Sequence, residues 1–137
     1  MDFKGDIVLI TGSSRGIGAA IAKAFAKEGA VVAINYKNDT AVADKIVKEC
    51  NELGGIAESF QADVTVPSEC RSLVSSVESE FGKIDILVNN AFRPYTFAPE
   101  KRKMFWDLKW EHYLSQIEGS LLSTHSLCKA VFPLMQR

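Results

Sequence analysis

The sequence contains no run of about 18 apolar residues, so it predicts no membrane-spanning helix. Its first residues carry the acids Asp2 and Asp6 and lead directly into an apolar segment, which is not the pattern of a secretory signal peptide. The formal net charge is only −1, so bulk charge favours neither nucleic acid nor an anionic membrane as a partner. We therefore expect no membrane and no nucleic-acid partner.

Cysteine and histidine are scarce. Cys50, Cys70 and Cys128 form no C-x-x-C pair, so neither a zinc site nor a disulfide framework is predicted. The only histidines, His112 and His125, do not have the spacing of a metal-ligand pair. Cys50 and Cys128 lie in apolar helical patterns and are predicted to be small core residues. We expect no metal, and a reducing, cytoplasmic setting.

What the chain does contain is an alternation of strand and helix patterns within a length that fits one domain, residues 1–137. The predicted strands span residues 7–10, 30–36, 56–61 and 84–89. The first helix follows an apolar repeat from Ile17 to Phe25, the second is capped by Thr40, and Pro67 opens the third. This order predicts an α/β fold of three layers, with a doubly wound, Rossmann-like parallel sheet.

Three glycines, Gly12, Gly16 and Gly18, separate the first strand from the first helix. Glycine permits a sharp turn and close approach of a phosphate, and the free N–H groups of a helix N-terminus attract anions. The pattern therefore predicts a nucleotide pyrophosphate site. The spacing is G-x-x-x-G-x-G and not the commonest dinucleotide fingerprint, so a tight turn that binds no nucleotide remains the alternative.

The end of the second strand bears on cofactor choice. An acid there would bond the 2′-hydroxyl of NAD and repel a 2′-phosphate, but the residues are Asn35, Tyr36 and Lys37. Arg15, in the glycine turn, can grip a phosphate. We therefore predict a preference for NADP(H) over NAD(H). Two alternatives stay open: both cations are ordinary surface charges, or Asp39 turns the preference toward NAD.

Three motifs in this order resemble the short-chain dehydrogenase/reductase family, and within it the 3-oxoacyl-acyl-carrier-protein reductases. They are Thr11-Gly12-x-x-x-Gly16-x-Gly18, Asp63-Val64 and Asn89-Asn90-Ala91, and the resemblance covers about residues 3–137. Together with the strand ends, it implies the following cofactor-binding residues: Gly12, Ser14, Arg15, Gly16, Ile17, Gly18, Asn35, Tyr36, Lys37, Asp63, Val64, Asn90 and Ala91.

The resemblance also implies an activity. A relative of these reductases would use NADPH to reduce a small-molecule or carrier-protein-linked carbonyl substrate, as in fatty acid biosynthesis, and would form a homo-oligomer through the helix at 110–135. A non-catalytic NADP-binding module or partner subunit is the alternative reading. A folded remnant that binds nothing is a third.

The chain departs from the family pattern at the residues that carry the chemistry. Phe92 replaces the usual glycine after Ala91, and alignment on Gly119 puts Gln116 where the family has the Asn of its proton relay. The family's Tyr-x-x-x-Lys pair is absent, because the residues four positions after Tyr36, Tyr95 and Tyr113 are Thr40, Pro99 and Ile117. We therefore expect residues 1–137 to be the incomplete, cofactor-binding half of a reductase, with little turnover of its own.

Two segments complete the sequence. Residues 92–109 combine cations and aromatics without a strict period, which predicts a long loop whose aromatics pack back on the domain; binding of single-stranded nucleic acid is the alternative. Residues 110–135 read as one long helix, with Pro133 near its end. A chain that stops there would leave the strand at 84–89 as an apolar edge, so we expect a longer protein or an oligomer that covers it.

Overall fold

A four-stranded parallel sheet forms the centre of the computed structural model, which describes residues 2–93 and 98–136. The strands are β1 Ile7–Ile10, β2 Val31–Tyr36, β3 Ile56–Gln61 and β4 Ile86–Val88, in the order β3-β2-β1-β4. The helices are α1 Gly16–Lys27, α2 Thr40–Glu52, α3 Pro67–Phe81, α4 Trp110–Ile117 and α5 Ser123–Met135. The predicted doubly wound fold is confirmed.

β1 is buried along its whole length because it lies between β2 and β4 and is covered on both faces. Successive side chains of a strand point to opposite faces, so β1 supplies both core layers. Val8 and Ile10 pack in the layer that α1 and α2 cover, whereas Leu9 packs in the layer that α3 and α5 cover. This arrangement explains the uninterrupted apolar run in the sequence.

α1 forms where the sequence predicts it, and Ile21 and Phe25 of its apolar repeat pack against the core, but the most buried positions are others. The buried positions are the small residues Gly18, Ala19, Ala22 and Ala26, whereas Ile17 is 73% exposed. Small side chains allow the helix to approach the sheet closely, and this outweighs the gain from burying the larger Ile17. The exposed Ile17 thereby stands beside the glycine turn.

Two helix starts test the predicted caps. Asp39, and not Thr40, caps α2, since its Oδ1 accepts a hydrogen bond from the Val42 N–H at 3.1 Å. The prediction of Thr40 as the cap was wrong: it is the first helical residue, and its hydroxyl lies 3.1 Å from that of Tyr36. Pro67 does open α3, as predicted.

β4 is shorter than the predicted strand at 84–89. Just before β4, Asp85 forms both hydrogen bonds to Ile7 of β1. The Asp85 N–H donates to the Ile7 carbonyl at 2.9 Å, and the Ile7 N–H donates to Asp85 Oδ2 at 2.8 Å. A side-chain oxygen thus replaces a backbone carbonyl, which ends the regular ladder. Ile84 is nevertheless buried, as its apolar character predicts.

The predicted long helix is continuous from Trp110 to Met135 but contains a π-helical segment, Glu118–Leu122. Within this segment Gly119 is buried against Arg93; a Cβ atom on Gly119 would come 2.5 Å from Arg93 Cβ. Cys128 is exposed, so its predicted place in the core was wrong, whereas Cys50 is buried as predicted. None of the helices in residues 2–93 and 98–136 combines the length and apolar character needed to cross a membrane.

The loop between β4 and α4 contains two short 3₁₀ turns, Pro99–Lys101 and Phe105–Asp107. Phe105 and Trp106 are 79% and 74% exposed, so the expectation that the loop aromatics pack back on the domain was wrong for both. Their neighbours in the two turns are also exposed, so among the described residues neither ring is packed into the domain. Tyr95 and Phe97, whose packing was predicted in the same way, lie outside the described residues.

Candidate cofactor site

The glycine turn between β1 and α1 is fastened to the end of β4. The Asn90 side chain donates from Nδ2 to the carbonyl oxygens of Thr11 at 2.9 Å and Gly12 at 3.2 Å. In return, Thr11 Oγ1 accepts from the N–H groups of Asn90 and Ala91, both at 3.0 Å. These bonds fix two carboxyl strand ends side by side at the edge of the sheet where parallel α/β folds bind ligands.

Each of the three glycines of the turn is required for its own physical reason. Gly12 and Gly16 have φ values of 60° and 58°, in the left-handed region that favours glycine. Gly18 lies inside α1 and has no room for a side chain, because a Cβ atom would lie 2.5 Å from Asn90 Nδ2 and 2.6 Å from the Gly12 carbonyl oxygen. The turn therefore presents bare backbone closely packed on its neighbours, which suits the approach of a pyrophosphate.

The N-terminus of α1 is open to an anion. Arg15 occupies the N-cap position with an extended backbone and an exposed side chain. In the part of the chain that the structure describes, no side chain caps this helix, and its first turn carries no acid. The first N–H groups and the positive end of the helix dipole are thus left for a negatively charged ligand.

Asn35, a predicted cofactor residue, is only 2% exposed and holds the turn from below. Its Oδ1 accepts from the Gly12 N–H at 3.1 Å, and its Nδ2 donates to the carbonyl oxygens of Phe60 and Ala62 at 3.3 and 3.2 Å. The amide thereby links the ends of β2 and β3 to the glycine turn. Its contact with a cofactor stays a prediction; its contact with the turn is direct.

Sequence reasoning missed Ser13, which completes this support. Its Oγ donates to the Ile10 carbonyl oxygen at 2.7 Å and accepts from the Asn35 N–H at 3.1 Å. Both side chains are buried among apolar strands. The available signal was a pair of short polar residues directly at the ends of two apolar runs, where unpaired backbone groups need partners.

The remaining predicted contacts lie at the ends of β2 and β3. Lys37 Nζ is 2.7 Å from Asp63 Oδ2, while Asp63 Oδ1 accepts from the N–H and hydroxyl of Thr65 at 3.0 and 2.7 Å. Partial burial of Asp63 opposes its ionisation, but the hydrogen bonds from Lys37 and Thr65 prevail and lower its pKa to about 2. Asp63 is therefore an anion at neutral pH. Tyr36 and Val64 are buried beside this pair.

The structure also locates Phe92 and Gln116, the two residues that differ from the family pattern. Phe92 follows the Asn90–Ala91 connection and is 65% exposed, so its ring extends largely into solvent. Gln116 is exposed on α4 just before the π-helical segment, and its backbone carbonyl accepts from Ser120 Oγ at 2.7 Å. The role of Gln116 in a proton relay stays a prediction. Among the described residues, no group of three or more His, Cys, Asp or Glu side chains is arranged to hold a metal ion.

Comparison with known proteins agrees with this geometry. Residues 6–137 match the family model for short chain dehydrogenases. The chain is 35% identical over 140 residues to a 3-oxoacyl-[acyl-carrier-protein] reductase of Escherichia coli, a match that covers 100% of this chain and 52% of the relative. It is 40% identical over 130 residues to an uncharacterized oxidoreductase of Methylorubrum extorquens, covering 92% of this chain and 50% of the relative.

Solved structures give the same match. The NADH-dependent reductase A1-R′ complexed with NAD superposes with a TM-score of 0.85 at 33% identity, over 96% of this chain and 53% of the reductase. A blue fluorescent protein from a metagenomic library, in complex with NADPH, superposes with a TM-score of 0.84 at 28% identity, over 98% of this chain and 53% of its own. The chain thus spans about half the length of the proteins it matches.

Proposed function

The chain belongs to the short-chain dehydrogenase family, and we propose that it is the NADP(H)-binding part of a carbonyl reductase. The observation that carries this proposal is the glycine turn at the open N-terminus of α1, held in place by Asn90 and Asn35. When bound, the nicotinamide would supply a hydride to the carbonyl carbon of a substrate. The residues of this chain bind and orient the cofactor.

Each strand end has a defined part in binding. The N–H groups at the start of α1 take the pyrophosphate, and Asp63 and Val64 border the adenine. Asn90 and Ala91 border the ribose next to the nicotinamide. Because hydrogen bonds tie these strand ends to one another, the site is formed before the cofactor arrives. A preformed site loses little conformational freedom on binding.

The preference for NADP(H) rests on charge. Arg15 is exposed in the glycine turn, and Lys37 follows β2, where no acid is present to bond a ribose 2′-hydroxyl. The carboxylate of Asp39, which could favour NAD, accepts a hydrogen bond from the N–H of Val42 at the start of α2. Of the two cations, Arg15 would meet a 2′-phosphate directly, whereas Lys37 would do so in competition with Asp63, whose Oδ2 lies 2.7 Å from its Nζ.

Residues 1–137 contain no Tyr-x-x-x-Lys pair, and this limits their chemistry. The chain by itself would bind cofactor and turn over little, with the Gln116 amide in the place of the family's relay Asn. A carrier-linked carbonyl substrate is proposed from the similarity to the Escherichia coli 3-oxoacyl-[acyl-carrier-protein] reductase, and a cytoplasmic setting from the cysteine pattern. A second candidate is a non-catalytic NADP-binding module, which the same open N-terminus of α1 would serve. Ketone-dependent oxidation of NADPH by the intact protein would exclude this candidate.

A Gly18→Ala variant tests the binding site. The added methyl group would collide with Asn90 Nδ2 and the Gly12 carbonyl, so we expect NADPH affinity to fall at least tenfold, as for other losses of about 1.4 kcal/mol. Gly5→Ala is the control for a strained substitution outside the site: the positive φ of Gly5 disfavours a side chain, but no atom lies within 4 Å of an added Cβ. It lies at the amino end of β1, away from the turn. Unchanged binding by a folded Gly18→Ala protein would refute the site.

A further inference from the structure

A fixed carboxylate accompanies the cation that is expected to meet the 2′-phosphate. Lys37 Nζ lies 2.7 Å from Asp63 Oδ2, and the two side chains are 58% and 21% exposed. Both hydrogen bonds from Thr65 go to the other oxygen, Asp63 Oδ1. Asp63 is therefore held by its own turn, and the longer, more exposed Lys37 side chain is the member of the pair that can move.

The backbones that carry the pair are also fixed. Tyr36 pairs with Gln61 in the sheet, the Ala62 N–H donates to the Tyr36 carbonyl at 2.9 Å, and Gln61 Nε2 donates to the Lys37 carbonyl at 2.9 Å. Glu69 adds a second carboxylate, which accepts from the Asp63 N–H at 2.6 Å. The loops after β2 and β3 thus keep negative charge at a constant distance from the base of Lys37.

On the basis of the proposed function, we propose that Asp63 is a specificity-determining residue that restrains the preference of this site for NADP(H). A 2′-phosphate must draw Lys37 away from Asp63 or share it with a fixed carboxylate that repels the phosphate. NAD(H) has no such phosphate and leaves the ion pair intact. Asp63 therefore penalises one cofactor and not the other, in addition to any contact it makes with adenine.

This role can be separated from a purely structural one. An ion pair that only joins two loops would, when broken, weaken both cofactors alike. Loss of an adenine contact would do the same, since both cofactors carry adenine. The ratio of the two dissociation constants is insensitive to either effect and responds only to the 2′-phosphate.

The test is Asp63→Asn, which removes the charge and keeps an oxygen for Thr65. Dissociation constants for NADP⁺ and NAD⁺ are measured by calorimetry on the full chain. We expect the preference for NADP⁺ to rise by roughly two- to fivefold, the range that partly exposed ion pairs support. Asp63→Ser, which can also form the local turn, gives the same reading if the Asn variant does not fold.

Two controls complete the design. Asp85→Asn breaks a matched pair, in which Lys83 Nζ lies 2.8 Å from Asp85 Oδ2 at the opposite edge of the sheet, and should leave the ratio unchanged. In a Lys37→Gln background, the effect of Asp63→Asn on the ratio should shrink, because the two residues act on the phosphate together. An unchanged ratio in Asp63→Asn, with both cofactors still bound, overturns the inference alone. Failure of the unmodified chain to bind either cofactor overturns the proposed function and the inference with it.

Discussion

At the scale of single residues, the candidate site depends on asparagine side chains that form hydrogen bonds with backbone groups. Asn90 and Asn35 satisfy the glycine turn from opposite sides, and both bond to Gly12. The sequence indicates where they lie, because Asn35 is near the end of an apolar strand and Asn90 follows one. It cannot indicate which way Asn35 points, since burial of its side chain depends on Ser13 and on the carbonyls of a strand far along the chain. A residue predicted to contact cofactor therefore proves to support the turn.

Asn35→Ala should destabilise the protein by about 2–3 kcal/mol, because it leaves the half-buried Gly12 N–H and two strand-end carbonyls without their partner. Asn38→Ala, at an exposed position three residues later, should change stability by less than about 0.5 kcal/mol. Urea denaturation followed by circular dichroism measures both. Equal losses in the two variants would contradict the assigned role of Asn35.

The low pKa of Asp63 predicts an effect of acid on stability. Its pKa is about 2 in the folded protein against an ordinary value of 3.8, so the folded state favours the ionised form. The resulting stabilisation is complete above pH 3.8 and is lost as the pH falls toward 2. Asp63→Asn should therefore show a smaller loss of stability between pH 5 and pH 2 than the unmodified protein, as measured by urea midpoints at each pH. An identical acid limb would show that Asp63 has the same pKa in both states.

At the scale of elements, local sequence patterns predicted the strands and helices whose positions depend on local interactions. The apolar runs and periodic stretches located β1, β2, β3 and the first three helices to within a few residues. The short β4 and the π-helical segment were not predicted, because both depend on tertiary contacts. β4 is shortened by the bonds between Asp85 and Ile7, and the π-helical segment contains Gly119, packed on Arg93, in a sequence with ordinary helical character.

Gly119→Ala should lower stability although alanine favours a helix by about 1 kcal/mol over glycine. The new methyl group would lie 2.5 Å from Arg93 Cβ and 2.9 Å from its backbone nitrogen, and overpacking of this kind costs about 1–3 kcal/mol. Ser120→Ala, on the next and exposed residue, should be close to neutral. Melting temperatures distinguish the two, and a rise for Gly119→Ala would show that the contact with Arg93 is not tight.

At the scale of the whole molecule, alternation of strand and helix left few possible topologies, so the parallel sheet and the edge that carries the site were predictable. The exposed surface was less predictable from the sequence, since exposure depends on what packs against each element.

Large apolar side chains stand exposed at helical spacing along α4, the π-helical segment and α5. They are Trp110, Leu114, Ile117, Leu121 and Phe132. We call this set the helix stripe and propose that it meets a second copy of the chain.

Leu121→Glu, in the centre of the helix stripe, should convert a homo-oligomer into smaller species, because a charge would then be buried at the interface. Leu53→Glu is the matched control, since Leu53 is also an exposed leucine but lies at the end of α2. Sedimentation equilibrium of the two variants and the unmodified chain measures the effect. Dissociation by both variants, or by neither, would contradict an interface on the helix stripe.

The most direct test of cofactor binding by the glycine turn is a titration of the unmodified chain and of Arg15→Glu with NADPH and with NADH. We expect the unmodified chain to bind NADPH more tightly. Because Arg15 faces solvent in the turn and is predicted to meet the 2′-phosphate, the charge reversal should weaken NADPH by about tenfold or more and NADH far less. Equal losses for the two cofactors would contradict the NADP(H) assignment, and no binding of either by the unmodified chain would contradict the site itself.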